Sequence, residues 1–352
     1  MLSARLRRIS SSRRRQQPAG GQPLQTRAAL EGRPMRIAAL ADLHYPKGGR
    51  QRLEALAAAC RRHLPDVLVL AGDLTTFSLL DFGRVLREFS DVAPVRLVVA
   101  GNHDVWTPGG RHTQRRYVRG LPTLCEHYGF AFLDQEPVQV DDVGFVGCLG
   151  WYDYSLRQLE EPVEGTRISP ARPSSRSRLA RLKVIRGRED LQWQDLTSRD
   201  YRGKAATWRE GGRMRSLVWN DALYVDWRTS DGRVVARQVA HLRESARRLA
   251  TAQRVVAVTH TVPCLAAFDR PYTRLAWAFC RAYMGAQALG RALSSDPRLV
   301  LWITGHVHYQ IVAHCDGLPV VNVAAAVEQH SNGPTILELA GREVCVKRVD
   351  SY

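Results

Sequence analysis

The sequence predicts an α/β fold, in which helices alternate with the strands of a largely parallel sheet. Three observations carry this. Short apolar runs alternate with longer segments of helical spacing. The runs end at a polar residue, often beside glycine, as buried strands do when they open into loops. The early blocks recur about every 30 residues: 31 separate Asp42 from Asp73, and 29 separate Asp73 from Asn102. That interval suits one strand–helix–strand step.

Residues 1–34 precede this pattern. They hold eight Arg against one acid, Glu31, with no hydrophobic period. Such a composition fits a disordered basic tail, an Arg- and Ser-rich mitochondrial presequence, or residues upstream of a start at Met35. No apolar run follows the arginines, which argues against a secretory signal.

From Arg36 the pattern becomes regular. Residues 36–41 read as a buried strand ending at Asp42. Residues 51–64 have helical spacing, stopped by Pro65. A second strand, 66–71, ends at Gly72-Asp73. A helix over 79–90 leads to a third strand, 94–100, ending at Gly101-Asn102-His103-Asp104. A helix near 114–128 follows, then short apolar runs at 130–133, 137–140 and 143–149. Beyond them a helix at about 235–252 leads into a strand, 254–259, ending at His260. A helix over 284–293 and a strand over 299–304 end at Gly305-His306-Val307-His308. Four β segments close the chain: 309–313, 318–323, 334–339 and 343–349.

Residues 153–234 break the rhythm. They are polar, with 17 Lys/Arg against 12 Asp/Glu, and carry Trp193, Trp208, Trp219 and Trp227. They read as an insertion within one domain spanning 35–352, with a further strand expected somewhere in 217–227. The arginines could cap a cleft and select a phosphorylated ligand, or the segment could be a solvated family-specific insertion.

The net charge is +17. It favours anionic partners, with phosphorylated substrates and nucleic acid both in scope. No stretch approaches the roughly 18 apolar residues of a transmembrane helix. The seven Cys are odd in number and form no C-x-x-C pair, so a disulfide framework or zinc ribbon is not expected. The simplest reading is reduced thiols in a cytoplasmic protein. Nothing in the sequence marks an oligomeric state.

The chemistry lies in the strand ends. Five apolar runs end in Asp42-Leu43-His44, Gly72-Asp73, Gly101-Asn102-His103-Asp104, His260 and Gly305-His306-Val307-His308. In open α/β sheets, ligands gather beyond the carboxyl ends of strands. Five such ends on one sheet edge would bring these side chains into one cleft. Imidazole and carboxylate donors together suit Mn, Fe, Zn, Ni or Co, and a carboxylate can bridge two ions.

In these blocks the chain resembles the calcineurin-like metallophosphoesterase superfamily. The pattern is D-x-H, G-D, G-N-H-[DE], a lone His and G-H-x-H, all in order, over about residues 35–340. The resemblance implies a four-layered α/β/β/α sandwich with two mixed sheets. It implies that Asp42, His44 and His308 hold one transition-metal ion and that Asn102, His260 and His306 hold a second. Asp73 would bridge the two. A metal-bridging hydroxide would then cleave a phosphomonoester or phosphodiester. His103 would face the leaving group, with Asp104 orienting it and favouring the imidazolium. Two alternatives stand beside this: a nuclease, supported by charge alone, and a non-catalytic scaffold, since the superfamily includes one in retromer.

Residues outside the pattern have plainer readings. Asn322 is a turn or capping residue, or else approaches the cleft. Trp151-Tyr152-Asp153-Tyr154 is a packing block or a substrate-facing wall. Cys264, four residues past His260, is incidental.

Overall fold

The computed structural model describes residues 33–159, 168–172, 183–184, 196–210, 213–268, 275–325 and 332–350. The readings made for residues 1–32 lie outside these.

Two six-stranded mixed sheets build the domain. In the first, β1 (Met35–Leu40), β2 (Val67–Ala71), β3 (Val95–Val99) and β4 (Ala131–Phe132) run parallel. The C-terminal hairpin of β15 (Asn332–Ala340) and β16 (Glu343–Asp350) extends it beside β1, antiparallel. In the second, β6 (Val143–Cys148), β11 (Arg254–Thr259), β12 (Leu299–Thr304) and β14 (Leu318–Asn322) run parallel. There, β5 (Val138–Val140) and β13 (Ile311–Cys315) form antiparallel edges. A smaller sheet, ordered β10–β9–β7–β8, comes from the stretch read as an insertion: β7 (Ile168–Arg172), β8 (Lys183–Val184), β9 (Ala205–Glu210) and β10 (Arg213–Val218).

Strand periodicity explains the layering. Along β1, Ile37 and Ala39 join a core with Val69, Leu97, Phe145, Val258 and Ile303, drawn from both large sheets. Ala38 and Leu40 join a second core with residues of the helices: Leu53 and Leu56 of α1 (Gly49–Arg62), and Phe82 and Val85 of α2 (Leu79–Glu88). A strand buried on both faces reads as a continuous apolar run rather than an alternating one. Each fully buried aliphatic side chain contributes roughly 1.5–3 kcal/mol of transfer free energy. The result is the expected α/β/β/α sandwich.

Most elements fall where the sequence places them, and the departures have local causes. The segment near 114–128 is not one regular helix. It is α3 (Thr113–Arg115), a π turn over Arg116–Gly120 and α4 (Leu121–His127). Pro122 has no N–H to continue the ladder, and the Gln135 side chain donates to the Val118 carbonyl at 3.3 Å instead. The short helix α5 (Ser198–Tyr201) starts at a capping box formed by Thr197 and Asp200. The expected strand in 217–227 ends early: β10 stops at Val218 and Asp221–Tyr224 forms a short helix, α6. The next helix, α7 (Asp231–Arg248), begins four residues before the apolar spacing predicts, because Ser230 accepts from Arg233 N as its N-cap. It packs on α9 (Gln287–Leu293), which follows α8 (Leu275–Cys280).

The expectation of seven reduced thiols fails at one pair. Cys264 and Cys315, with Cα atoms 6.5 Å apart, form a disulfide. Their separation of 51 residues matches no short motif, so spacing gave no warning. Cys264 is therefore not incidental. Cys60, Cys125, Cys148 and Cys280 are free and buried, and Cys345 is free and exposed. Among the described residues, no helix is long and apolar enough to cross a membrane.

Candidate metal centre

The five strand ends do converge, but not on one sheet edge. Asp42/His44, Asp73 and Asn102/His103 follow β1, β2 and β3 of the first sheet. His260 and His306/His308 follow β11 and β12 of the second. The cleft thus lies where the carboxyl edges of two sheets meet. Backbone links cross between them: Ala325 N, beyond β14, donates to the Ala41 carbonyl at 2.8 Å, and Ala41 N donates to the Val323 carbonyl at 3.1 Å. His306 N donates to Asp42 Oδ1 and Oδ2 at 3.0 and 2.9 Å.

Two glycines allow this closeness. A Cβ on Gly101 would sit 2.1 Å from Asp73 Oδ1 and 2.2 Å from Asp73 N. One on Gly305 would sit 2.5 Å from the Ala41 Cβ. Five residues of the cluster, Asp42, His44, Asp73, His306 and His308, have φ between 46° and 72°. That left-handed region is costly for side chains other than glycine and is held here by the surrounding structure.

Donor atoms face one another in two groups, Asp42/His44/Asp73/His308 and Asp73/His260/His306, with Asp73 common to both. His44 Nε2 is 3.0 Å from His308 Nε2, and His260 Nε2 is 3.2 Å from His306 Nδ1. His260 Nε2 also lies 3.2 Å from Asn102 Oδ1 and 3.3 Å from Asp73 Oδ2. Asp73 Oδ2 is buried and accepts no hydrogen bond. Opposed imidazole nitrogens around an unsatisfied carboxylate oxygen are what a cation pair would satisfy, so the residues fit the ions that the family implies.

Ring orientation supports the same view. His260 Nδ1 is 2.9 Å from the Ala71 carbonyl, so its proton belongs there and Nε2 faces the cleft. His306 is reversed: Nε2 is 3.2 Å from the Tyr283 carbonyl, leaving Nδ1 as the inward donor. Burial depresses the imidazoles of His44 and His103 to about 4. It lowers His306 still further, with His260 adding to the effect. Burial also opposes ionisation of Asp73, but His260, His103 and His44 hold its carboxyl well below the usual range. Burial would lower His260 as well, yet Asp73 and Asp42 carry it up to about 9.

The calcineurin-like phosphoesterase family model matches residues 35–310. The chain belongs to that family. No curated protein matches it. Among solved structures, it is similar to a phosphopantetheinyl hydrolase from Mycobacterium tuberculosis. That match has 16% identity and a TM-score of 0.56, and covers 84% of this chain and 90% of the other. It is also similar to a dimetal phosphatase from Danio rerio, at 13% identity and a TM-score of 0.50, over 91% and 97%.

The surroundings of the phosphoesterase centre hold a residue that sequence reasoning missed. Asp221, at the start of α6, is fully buried and gathers four donors. Oδ1 accepts from Asn102 Nδ2 at 3.0 Å and Trp106 Nε1 at 2.6 Å. Oδ2 accepts from Tyr152 OH at 3.0 Å and Trp219 Nε1 at 2.7 Å. The amide of Asn102 is thereby turned so that its oxygen faces His260. The only hint in sequence was the need of buried indoles for an acceptor; no spacing ties Asp221 to Asn102.

His103 lies at the mouth, its side chain 22% exposed, with Nε2 3.9 Å from Asp73 Oδ2. It stacks on Trp106 with ring centroids 3.6 Å apart. The expected partnership with Asp104 does not form. Asp104 accepts from Thr75 N at 3.0 Å and Gly101 N at 2.9 Å, while His103 Nδ1 has no hydrogen-bond partner. Asp104 braces the loops behind the centre; its proximity in sequence misled because the loop turns its carboxylate to the backbone. Trp151 and Tyr152 are fully buried, so the aromatic block is packing. Asn322 is buried and donates to the Gly305 carbonyl, bracing the loop that carries His306.

Proposed function

We propose that the chain is a dinuclear metal-dependent hydrolase of phosphomonoesters or phosphodiesters. One observation carries the reading: two facing donor groups share the buried Asp73 carboxylate, whose Oδ2 accepts no hydrogen bond. Asp42, His44 and His308 would hold one ion, Asn102, His260 and His306 the other, and Asp73 both. When bound, such a pair activates water and offsets phosphoryl charge.

The chain's own residues do the rest. Asp42 accepts from His306 N, and so locks the two sheet edges at the separation the donors need. The Ala71 and Tyr283 carbonyls fix which nitrogen His260 and His306 present. His103 faces the leaving group. With Asp104 turned away and burial disfavouring the imidazolium, His103 acts as a neutral N–H donor to the departing oxygen rather than as a strong acid. Its stack on Trp106 holds it in place.

The test is turnover of chromogenic phosphomonoesters and phosphodiesters by metal-loaded and chelator-treated chain, with Asp73→Ala and His103→Ala alongside. Metal analysis should find about two ions per wild-type chain. The reading fails if loaded wild type is no faster than both variants on every ester.

A further inference from the structure

We infer that the phosphoesterase takes esters whose leaving group is apolar, a hydrocarbon chain or aromatic ring rather than a sugar or nucleotide. This rests on the hydrolase reading above and deepens it. A cavity of about 300 Å³ opens directly from Asp73, Asn102, His103, His306 and His308. Apart from Asn220 its remaining wall is apolar: Leu217, Trp219, Phe268, Trp277, Met284 and Val307 are its main members. Among the described residues, no Lys or Arg lines it. The described part of the arginine-rich stretch meets the cavity with Leu217, Val218, Trp219 and Asn220.

The wall is built rather than incidental. Trp219 lies parallel to Tyr283, with centroids 5.1 Å apart and a 10° tilt, and meets His306 edge-on at 5.8 Å. Its indole N–H is tied to Asp221. Trp106, also in the wall, is tied to the same carboxylate and stacks on His103, the residue that faces the leaving oxygen. With both N–H groups turned into the protein, the indoles offer the cavity mainly hydrocarbon. A hydroxyl-rich or charged leaving group would lose water there without recovering hydrogen bonds. An apolar one gains by leaving water.

The experiment measures binding of alkylphosphonates of increasing length, of benzylphosphonate and of a ribose-sized polyhydroxylated phosphonate to the metal-loaded chain. Affinity should rise about fourfold per methylene until the cavity is filled. Comparison of benzyl with octyl distinguishes a planar from a linear group. The polyhydroxylated compound should bind no better than methylphosphonate. Trp277→Ala, a half-exposed position, should weaken the longest ligand about tenfold and methylphosphonate by less than about twofold. Leu217→Asn provides a second variant with the same expected pattern. Metal-dependent binding that is flat across the series, or strongest for the polyhydroxylated compound, overturns the pocket assignment and leaves the hydrolase reading intact. Absence of metal-dependent binding by any phosphonate, with no ester turned over, overturns both.

Discussion

The two sides of the cleft are held by different means. On the strand side, His260, His306 and Asp73 are fixed by backbone: the Ala71 and Tyr283 carbonyls, and the N–H of His103, which donates to Asp73 Oδ1 at 2.8 Å. On the far side, Trp106, Tyr152 and Trp219 come from three separate segments and are held by one side chain, Asp221. Backbone anchoring distributes the load over two sheets, so no single contact is decisive there. Side-chain anchoring concentrates it, so one substitution reaches Asn102, the stack under His103 and the apolar wall together.

The contrast can be broken from either side. Asp73→Ala should have the largest effect. Turnover should fall at least about 10³-fold and both ions should be lost, read by steady-state kinetics and metal analysis. If the variant keeps one ion at wild-type affinity, Asp73 is not shared. Gly101→Ala comes next. A Cβ there would overlap Asp73, so the loop must shift, costing about 3 kcal/mol in denaturant unfolding with loss of one or both ions. An unchanged midpoint would show that the strand ends are less tightly fixed than the contacts indicate.

Asp221→Asn tests the other side. The new amide cannot accept all four donors, so affinity for the ion beside Asn102 should drop about 10–100-fold. The ion beside Asp42 should bind as before, as competition titration would show. Equal weakening of both would make Asp221 merely structural. The smallest effect lies far from the cleft. Arg254 donates to both oxygens of Asp142, holding that carboxyl below its usual range. A folded-state pKa below the unfolded one gives stability that is present above about pH 4 and lost as pH falls through the lowered value. The pair is partly exposed, so Asp142→Asn should cost well under about 1 kcal/mol near neutrality. That difference should vanish in acid; growth of the difference in acid would reverse the sign argued here.

The same contrast explains what was legible in sequence. Asp42, Asp73, Asn102, His260 and His306 stand at the ends of apolar runs, because a buried strand must be continuous in hydrophobicity and must stop where it meets the cleft. Chain periodicity thus reports their position directly. It could not report that the strands divide between two sheets, since β2 of the first and β12 of the second are both fully buried apolar runs. Asp221 has no period around it, and its function depends on groups over 60 residues away. Asp104 shows the converse hazard: adjacency to His103 suggested a pair, and the turn between them pointed the carboxylate elsewhere. The Cys264–Cys315 bond was likewise a property of loop proximity rather than of spacing.

The left-handed conformations of Asp42, His44, Asp73, His306 and His308 have an evolutionary corollary. Asparagine and glycine tolerate that backbone better than histidine does. Replacing His308, which is about a third exposed, by glycine would remove a donor while relaxing the chain. In the absence of ions, the disabled protein should be the sturdier one. Loss of the proposed metal centre by that route would be downhill in folding free energy, leaving a silent scaffold with the fold intact.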